Sequence, residues 1–455
     1  MNLLFFGLGR IGLPQSLVFS NNGICVYGYD VNEKVIDNLN KINVPFHEEY
    51  LEETLKKNIN KTFFPIKNWE KFLYKIDILM FTLGTGTPDS KSCIDEPEGD
   101  ISKIYDLVDN IFEKQNLKKN VLLVFRTTLF LGSCDLIKAH IENKYSLIEG
   151  IDFHLSFVPE RLVEGSAINE EKKLPKIIGS YNDEGYKRTQ ELFSKIGGKI
   201  LRVSNPKTAE FCKLTDNTYR NTIFGYSNDL AMWATHQKID VHEVIDTVNK
   251  DYERNNIPKP GFVSGYCLGK DPYILEYGFS AYKEERDFQS LWYYGRRVND
   301  LLVNYAVKAF TKQFTSKNIE ITNSSIALLG LSYKNDIDDF RMSHAFSIID
   351  NLLIKGYKKI YAYDPNYRSN QYTKLPEKYN NEKKIVCTNK LENLNLDDLN
   401  GIIVSHMHKE IIDYEKNVLK HIKGKKDFII FDGWNIWKNV RKEFTKNYSS
   451  IGFQI

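Results

Sequence analysis

Six cysteines in 455 residues, none of them in a CxxC pair, leave this chain without the makings of a zinc ribbon or a disulfide scaffold. The scattered thiols (Cys25, Cys93, Cys134, Cys212, Cys267 and Cys387) fit a reducing compartment, so a cytoplasmic location is expected. Charge of one sign is lacking too. Lys+Arg at 62 against Asp+Glu at 59 gives +3, too little to argue for nucleic acid or an anionic membrane as partner. No run reaches the ~18 apolar residues of a membrane span. The N-terminal apolar run ends at Arg10 with no basic stretch before it, so no signal peptide is expected. Low-complexity tracts and short repeats are absent. What remains is a globular composition, 42% hydrophobic and 27% charged, which excludes a disordered or collagen-like chain. At ~100–200 residues per domain, the length suggests two to four domains.

The apolar run at residues 3–6 meets Gly7-Leu8-Gly9-Arg10-Ile11-Gly12, a helical stretch follows to about Ser20, and Ile24 to Asp30 reads as a second strand. Further strands are expected at Ile76 to Gly84 and Val121 to Phe125, with a helix between them from about Ile101. Alternating strands and helices predict a parallel, doubly wound sheet. The pattern changes near Asn205-Pro206. Long helices are expected from Thr208 to about Gln237 and from Phe288 to Phe314, flanking a Pro- and Gly-rich loop, PKPGFVSGYCLGKDP. From Ser324 the strand–helix alternation returns, but its first turn lacks GxGxxG, so this part should bind something other than a whole dinucleotide. The expected fold class is α/β, with two Rossmann-like doubly wound domains joined by a long-helix central domain. The expected boundaries are 1–204, 205–318 and 319–455.

Three features carry chemistry. The GxGxxG turn sits between a strand and a helix, and Asp30 follows Gly12 by 30 − 12 = 18 residues. Such glycines let backbone approach a pyrophosphate at a helix N-terminus, and the acid suits an adenosine ribose while repelling a 2′-phosphate, which favours NAD over NADP. Cys267, three residues before Lys270 in a Gly-rich loop, is either an activated thiolate or an inert small apolar side chain. Glu210, Lys213, Asn217 and Asn228 fall within an arc of roughly 60° on the first long helix. That stripe is either a set of oxyanion donors or a solvated face.

Motifs in order along the chain resemble those of the UDP-glucose/GDP-mannose dehydrogenase family, NAD-dependent nucleotide-sugar 6-dehydrogenases. They are GLGRIGLP at the start, TGTP (Thr85 to Pro88), RTTLFLG (Arg126 to Gly132), PERLVEG (Pro159 to Gly165), KLTDNTYR (Lys213 to Arg220), PGFVSGYCLGKDPYIL (Pro260 to Leu275), GLSYKNDIDDFRMS (Gly330 to Ser343) and YDPN (Tyr363 to Asn366). The resemblance implies that Cys267 is the catalytic thiol and that Lys213 and Asn217 stabilise developing oxyanions. It makes Asp271 the acid that works with them on a bound water, which Thr128 helps to hold, and Glu164 the residue for thioester hydrolysis. It places NAD on Gly7, Gly9, Arg10, Ile11, Gly12, Asp30, Lys34, Thr87 and Thr128. The UDP-sugar falls to Glu160, Arg161, Lys213, Asn217, Gly265, Lys334 and Arg341. It further implies a homodimer or higher oligomer built on the central helices, and an active site in a cleft between the terminal domains. No metal, nucleic acid or membrane is called for. Ser264 stands where the family usually has glycine, Thr127 where it has serine, Asp229 where it has Glu after Asn, and His344 where it has proline.

The chemistry so implied oxidises a primary alcohol at C6 twice, to a carboxylate, and a thiol between the steps keeps the aldehyde from escaping. Pro159-Glu160-Arg161, the DNTYR segment from Asp216 and Asp271-Pro272-Tyr273 resemble the UDP-N-acetylhexosamine branch, whereas Lys270 resembles the UDP-glucose branch; the balance favours an N-acetylhexosamine such as UDP-N-acetylmannosamine or UDP-N-acetylglucosamine. Two other classes stay open: a single-step β-hydroxyacid-type dehydrogenase and a catalytically silent NAD-binding protein. Counting NADH per sugar separates the three.

Overall fold

The computed structural model describes residues 1–84, 100–114, 116–278, 289–379, 381–425 and 427–453. These form two compact units. The first takes in 1–84, 100–216 and 273–278, and the second 217–272 and 289–453.

The first unit is built on β1 (Asn2–Phe6), β2 (Cys25–Tyr29), β3 (Phe63–Ile66), β4 (Ile78–Phe81), β5 (Val121–Phe125), β6 (Phe153–Phe157), β7 (Lys176–Ser180) and β8 (Ile200–Val203). Their order is β3-β2-β1-β4-β5-β6-β7-β8. Leu3 to Phe6 and Leu122 to Phe125 are all buried, because a parallel sheet covered on both faces needs apolar residues pointing both ways. The expectation of a wholly parallel sheet is corrected at one pairing. β6 and β7 run antiparallel, with Ser156 opposite Ser180, and their hydroxyls share a hydrogen bond of 2.6 Å.

The second unit repeats the theme with β9 (Ser325–Leu329), β10 (Lys359–Tyr363), β11 (Ile385–Thr388), β12 (Gly401–Val404), β13 (Ile429–Asp432) and β14 (Tyr448–Ser450). The order is β11-β10-β9-β12-β13-β14, all parallel. In both sheets the strand order reverses beside the first strand, and open α/β sheets bind ligands at that switch point.

The long helix Pro206–His236 begins two residues before the expected Thr208, on a proline whose missing N–H costs nothing in a first turn. Its partner in the second unit is the helix Leu291–Ser316; Phe288, where that helix was expected to begin, lies outside the described residues. The two pass closely at Gly225, where a Cβ would stand 2.6 Å from the Gly295 carbonyl oxygen.

Candidate active site

The glycine turn of the first unit is set by backbone contact. Gly7 has φ +97° and donates its N–H to the Tyr29 carbonyl at 2.8 Å. A Cβ on Gly7 would meet the Thr82 carbonyl oxygen at 2.8 Å, and one on Gly12 would meet the Gly7 carbonyl oxygen at 1.9 Å. A Cβ on Gly9 would meet no described atom within 4 Å. The turn is therefore closed on its inner side and open at Gly9, at the start of the helix Gly12–Asn21 whose N-cap is Ile11. Asp30, just past β2, accepts hydrogen bonds from Leu8 N and Asn32 N at 2.9 Å each. An open glycine, a helix N-terminus and a carboxylate at the second strand's end fit a dinucleotide. Lys34 is exposed in the first turn of the helix Glu33–Asn40. Thr87 lies outside the described residues.

Arg10 is buried, with its guanidinium 5.0 Å from the Phe46 ring centroid and Nη1 3.7 Å from Glu164 Oε2. The segment carrying Glu160, Arg161 and Glu164 is anchored by Glu48, which accepts from Gly165 N at 2.8 Å and Ala167 N at 2.7 Å. Burial pushes the Glu48 carboxyl up. The sequence analysis missed Glu48, since nothing in HEEYLEE sets it apart from Glu49, Glu52 and Glu53. Arg161 donates through Nε to Asp216 Oδ2 at 2.7 Å. Lys213 donates to the Glu160 carbonyl oxygen at 2.5 Å and lies 3.6 Å from Glu160 Oε2.

The solvated-face reading of the long-helix stripe is overturned, because Glu210, Lys213, Asn217 and Asn228 are all at most 4% exposed. Glu210 and Asn228 bind backbone. Glu210 takes Gly132 N at 2.6 Å and Cys134 N at 2.7 Å, capping the helix Ser133–Tyr145 from outside its own sequence. Its burial raises that carboxyl to about 7. The cap fixes the turn that leads on from Thr128, which is itself half-buried after β5. In the second unit Asn228 binds Gly261 through both amide atoms, at 2.9 and 3.1 Å, and so serves backbone rather than an oxyanion.

The reading of PKPGFVSGYCLGKDP as a loop is corrected at its second half. Tyr266 begins a helix that runs to Gly278 through both Gly269 and Pro272. Cys267 is therefore exposed in a first helical turn, where N–H groups and the dipole favour an anion. Gly265 just before it has φ +98°, and a Cβ there would meet Tyr333 Cδ2 at 2.2 Å. One turn after Cys267, Asp271 is fully buried. Its Oδ2 accepts from Asn217 Nδ2 at 2.5 Å, and its Oδ1 from Lys270 Nζ at 2.9 Å. Burial alone would push the Lys270 ammonium down, but Asp271, with Tyr266 and Cys267 beside it, outweighs that and holds it up. Arg341 forks onto both oxygens of Asp339 and lies about 5 Å from the ring centroids of Tyr266 and Tyr372. Lys334 is half-buried in the turn after β9.

The structure thus brings together Asn217, Lys270 and Asp271 near Cys267, sets Lys213 on Glu160, and joins Arg10 to Glu164. A buried carboxylate with an amide and an ammonium on its two oxygens can hold or pass a proton beside a thiol.

Comparison with known proteins bears on the same segments. Models of the UDP-glucose/GDP-mannose dehydrogenase family match at residues 1–197 (NAD binding domain), 207–300 (central domain) and 327–439 (UDP binding domain). A UDP-N-acetyl-D-mannosamine dehydrogenase of Pyrococcus horikoshii is 29% identical over 422 residues, covering 92% of this chain and 96% of that one. A solved structure of the P. horikoshii UDP-D-ManNAc dehydrogenase superposes with a TM-score of 0.83 at 25% identity, covering 99% of each chain. The UDP-N-acetyl-mannosamine dehydrogenase of Staphylococcus aureus does so with a TM-score of 0.77 at 26% identity, covering 99% and 98%.

Proposed function

The chain belongs to the UDP-glucose/GDP-mannose dehydrogenase family, NAD-dependent oxidoreductases of nucleotide sugars, and on that premise we propose that it oxidises C6 of a UDP-N-acetylhexosamine to the carboxylate through Cys267. The observation that carries this reading is the exposed thiol in a helix's first turn, one turn from a buried Asp271 held by Asn217 and Lys270. Relatives named UDP-N-acetyl-D-mannosamine dehydrogenases support UDP-N-acetylmannosamine as the sugar, and the reading makes the acid a precursor of surface polysaccharide.

NAD, when bound, accepts a hydride at each oxidation. The residues that would hold it are Gly7, Gly9, Arg10, Ile11, Gly12, Asp30, Lys34, Thr87 and Thr128. After the first oxidation, Cys267 Sγ adds to the aldehyde carbon and the carbonyl oxygen takes up a proton, giving a thiohemiacetal. Loss of the second hydride and of the hydroxyl proton leaves a thioester. Water then adds, the C–S bond breaks, and the thiol returns as the carboxylate leaves. Lys213 and Asn217 meet the negative oxygen of these species. Asp271 and Glu164 move the protons, and Thr128 helps place the water. Glu160, Gly265, Lys334 and Arg341 hold the nucleotide sugar. Asp216 orients Arg161 through Nε, and a guanidinium has further N–H donors for an acetamido carbonyl.

The reading divides the chain at 1–204, 205–318 and 319–455 and places it in the cytoplasm, where cysteines are kept reduced. Among the described residues no helix is long and apolar enough to cross a membrane. Tyr219, Tyr226 and Trp233, seven residues apart on the long helix and 63%, 56% and 65% exposed, suit a homodimer seam. The deciding experiment is Cys267→Ser. It should abolish formation of the sugar acid while leaving NAD affinity unchanged, and acid formation at the wild-type rate would sink the covalent route.

A further inference from the structure

The helix that carries Cys267 has a gap in its hydrogen-bond ladder. Proline has no N–H, so Pro272 offers nothing to the carbonyl four residues back, that of Leu268. Leu268 directly follows Cys267. A side chain from the helix Leu291–Ser316 fills the gap: Arg296 Nη1 donates to the Leu268 carbonyl oxygen at 3.2 Å. The other prong, Nη2, donates to the Val263 carbonyl oxygen at 3.1 Å. One rigid, planar group therefore grips the backbone on both sides of Cys267.

Arg296 is wholly buried, and a buried guanidinium needs a partner. Asp300, one turn along the same helix, accepts from Nη2 at 2.7 Å. Burial would push the Asp300 carboxyl up, but Arg296 and His344 outweigh it and hold the carboxyl below its usual range. Two more bonds tie the same loop down: His344 N donates to Ser264 Oγ at 3.2 Å, and Gly265 N donates to the Met342 carbonyl oxygen at 3.1 Å. The first exists only because residue 344 is not a proline and residue 264 carries a hydroxyl.

We propose that Arg296 is a positioning residue for Cys267: its guanidinium supplies the donor that Pro272 lacks and fixes the turn from which the thiol captures the aldehyde. This rests on the reading of Cys267 as the nucleophile. Lysine at 296 keeps the charge but offers a point ammonium in place of a two-pronged fork. The first hydride transfer needs no thiol and the second does, so a displaced Cys267 affects the two unequally, as general loss of folded protein does not.

The test uses the full chain. Arg296→Lys should speed amide hydrogen exchange across 261–271 and lower kcat for acid formation by about tenfold or more, since small misplacements of a reacting group are costly. KM for the nucleotide sugar should stay within about threefold, and aldehyde should become trappable with semicarbazide. Pro272→Ala returns an N–H to the Leu268 carbonyl, so adding it to Arg296→Lys should recover part of both losses. Losses that simply multiply in the double variant, or exchange and kcat left unchanged in Arg296→Lys, would overturn the proposal. Should Arg296→Lys fail to fold, Arg296→Gln with Asp300→Asn removes both buried charges together and serves in its place. Exchange is indifferent to what Cys267 does. Faster exchange alongside acid formation by Cys267→Ser would refute the nucleophile and keep the strap, and unchanged exchange refutes the strap whatever Cys267→Ser shows.

Discussion

Asp364 lies fully buried against His408, whose Nε2 stands 3.2 Å from its Oδ2. The same oxygen accepts from Leu331 N and Ser332 N at 2.8 Å and from Ser332 Oγ at 2.9 Å. Asp364 directly follows β10 as Asp30 directly follows β2. In each case the second strand's last carbonyl takes the N–H of the turn's first glycine at 2.8 Å, Gly330 in one unit and Gly7 in the other. The two acids differ in what is left over. Asp30 takes two backbone bonds and is only half-buried, whereas Asp364 is saturated from within. Burial would push the Asp364 carboxyl up, but His408 and the turn's N–H groups outweigh it and hold it below the usual range. A ribose can therefore reach the first acid and not the second, the physical counterpart of a second turn without GxGxxG.

Cofactor choice follows from Asp30. The kcat/KM with NAD should exceed that with NADP by about tenfold to a hundredfold, the range expected for a 2′-phosphate brought against a carboxylate. Asp30→Asn should narrow the ratio. Equal values for the wild-type enzyme would contradict the assignment.

Glu210 makes an unusual pH dependence. Its carboxyl ordinarily titrates near 4.5 and is raised to about 7 by burial in the folded chain. The folded state then binds the proton more tightly than the unfolded one. This contribution to stability is complete below about 4.5 and is lost as pH rises through about 7. Thermal unfolding scanned from pH 4.5 to 8 should show a downward component in wild type that Glu210→Gln lacks. Identical slopes in the two proteins would refute it.

Sugar choice is tested at Arg161. Arg161→Met should lower kcat/KM for a UDP-N-acetylhexosamine by about tenfold to a hundredfold, the cost of an unpaired acetamido carbonyl of about 1–3 kcal/mol, and leave any activity on UDP-glucose nearly untouched. Robust NADH formation from UDP-glucose, with none from the N-acetylhexosamines, would move the enzyme to the glucose branch.

Much of this was legible in the sequence because the signals were local. The LLFF run, the glycine turn and Asp30 lie within thirty residues, and β1, its helix and β2 follow as the pattern dictates. The helix at Tyr266 was not legible, because Gly269 and Pro272 argue locally against it and the donor that compensates, Arg296, is far along the chain. Glu48 escaped for the same reason, and so did the capping role of Glu210, which the sequence placed on the helix stripe. Each satisfies backbone N–H groups distant in sequence, and no spacing rule points from one to the other.

In the proposed mechanism one site performs two oxidations with a thiol between them. Counting NADH against UDP-N-acetylhexosamine consumed, with the sugar run to exhaustion under excess NAD, tests it most directly. Two NADH per sugar, with the C6 acid as the only product, is the expected result; one NADH per sugar, with aldehyde accumulating, would contradict it.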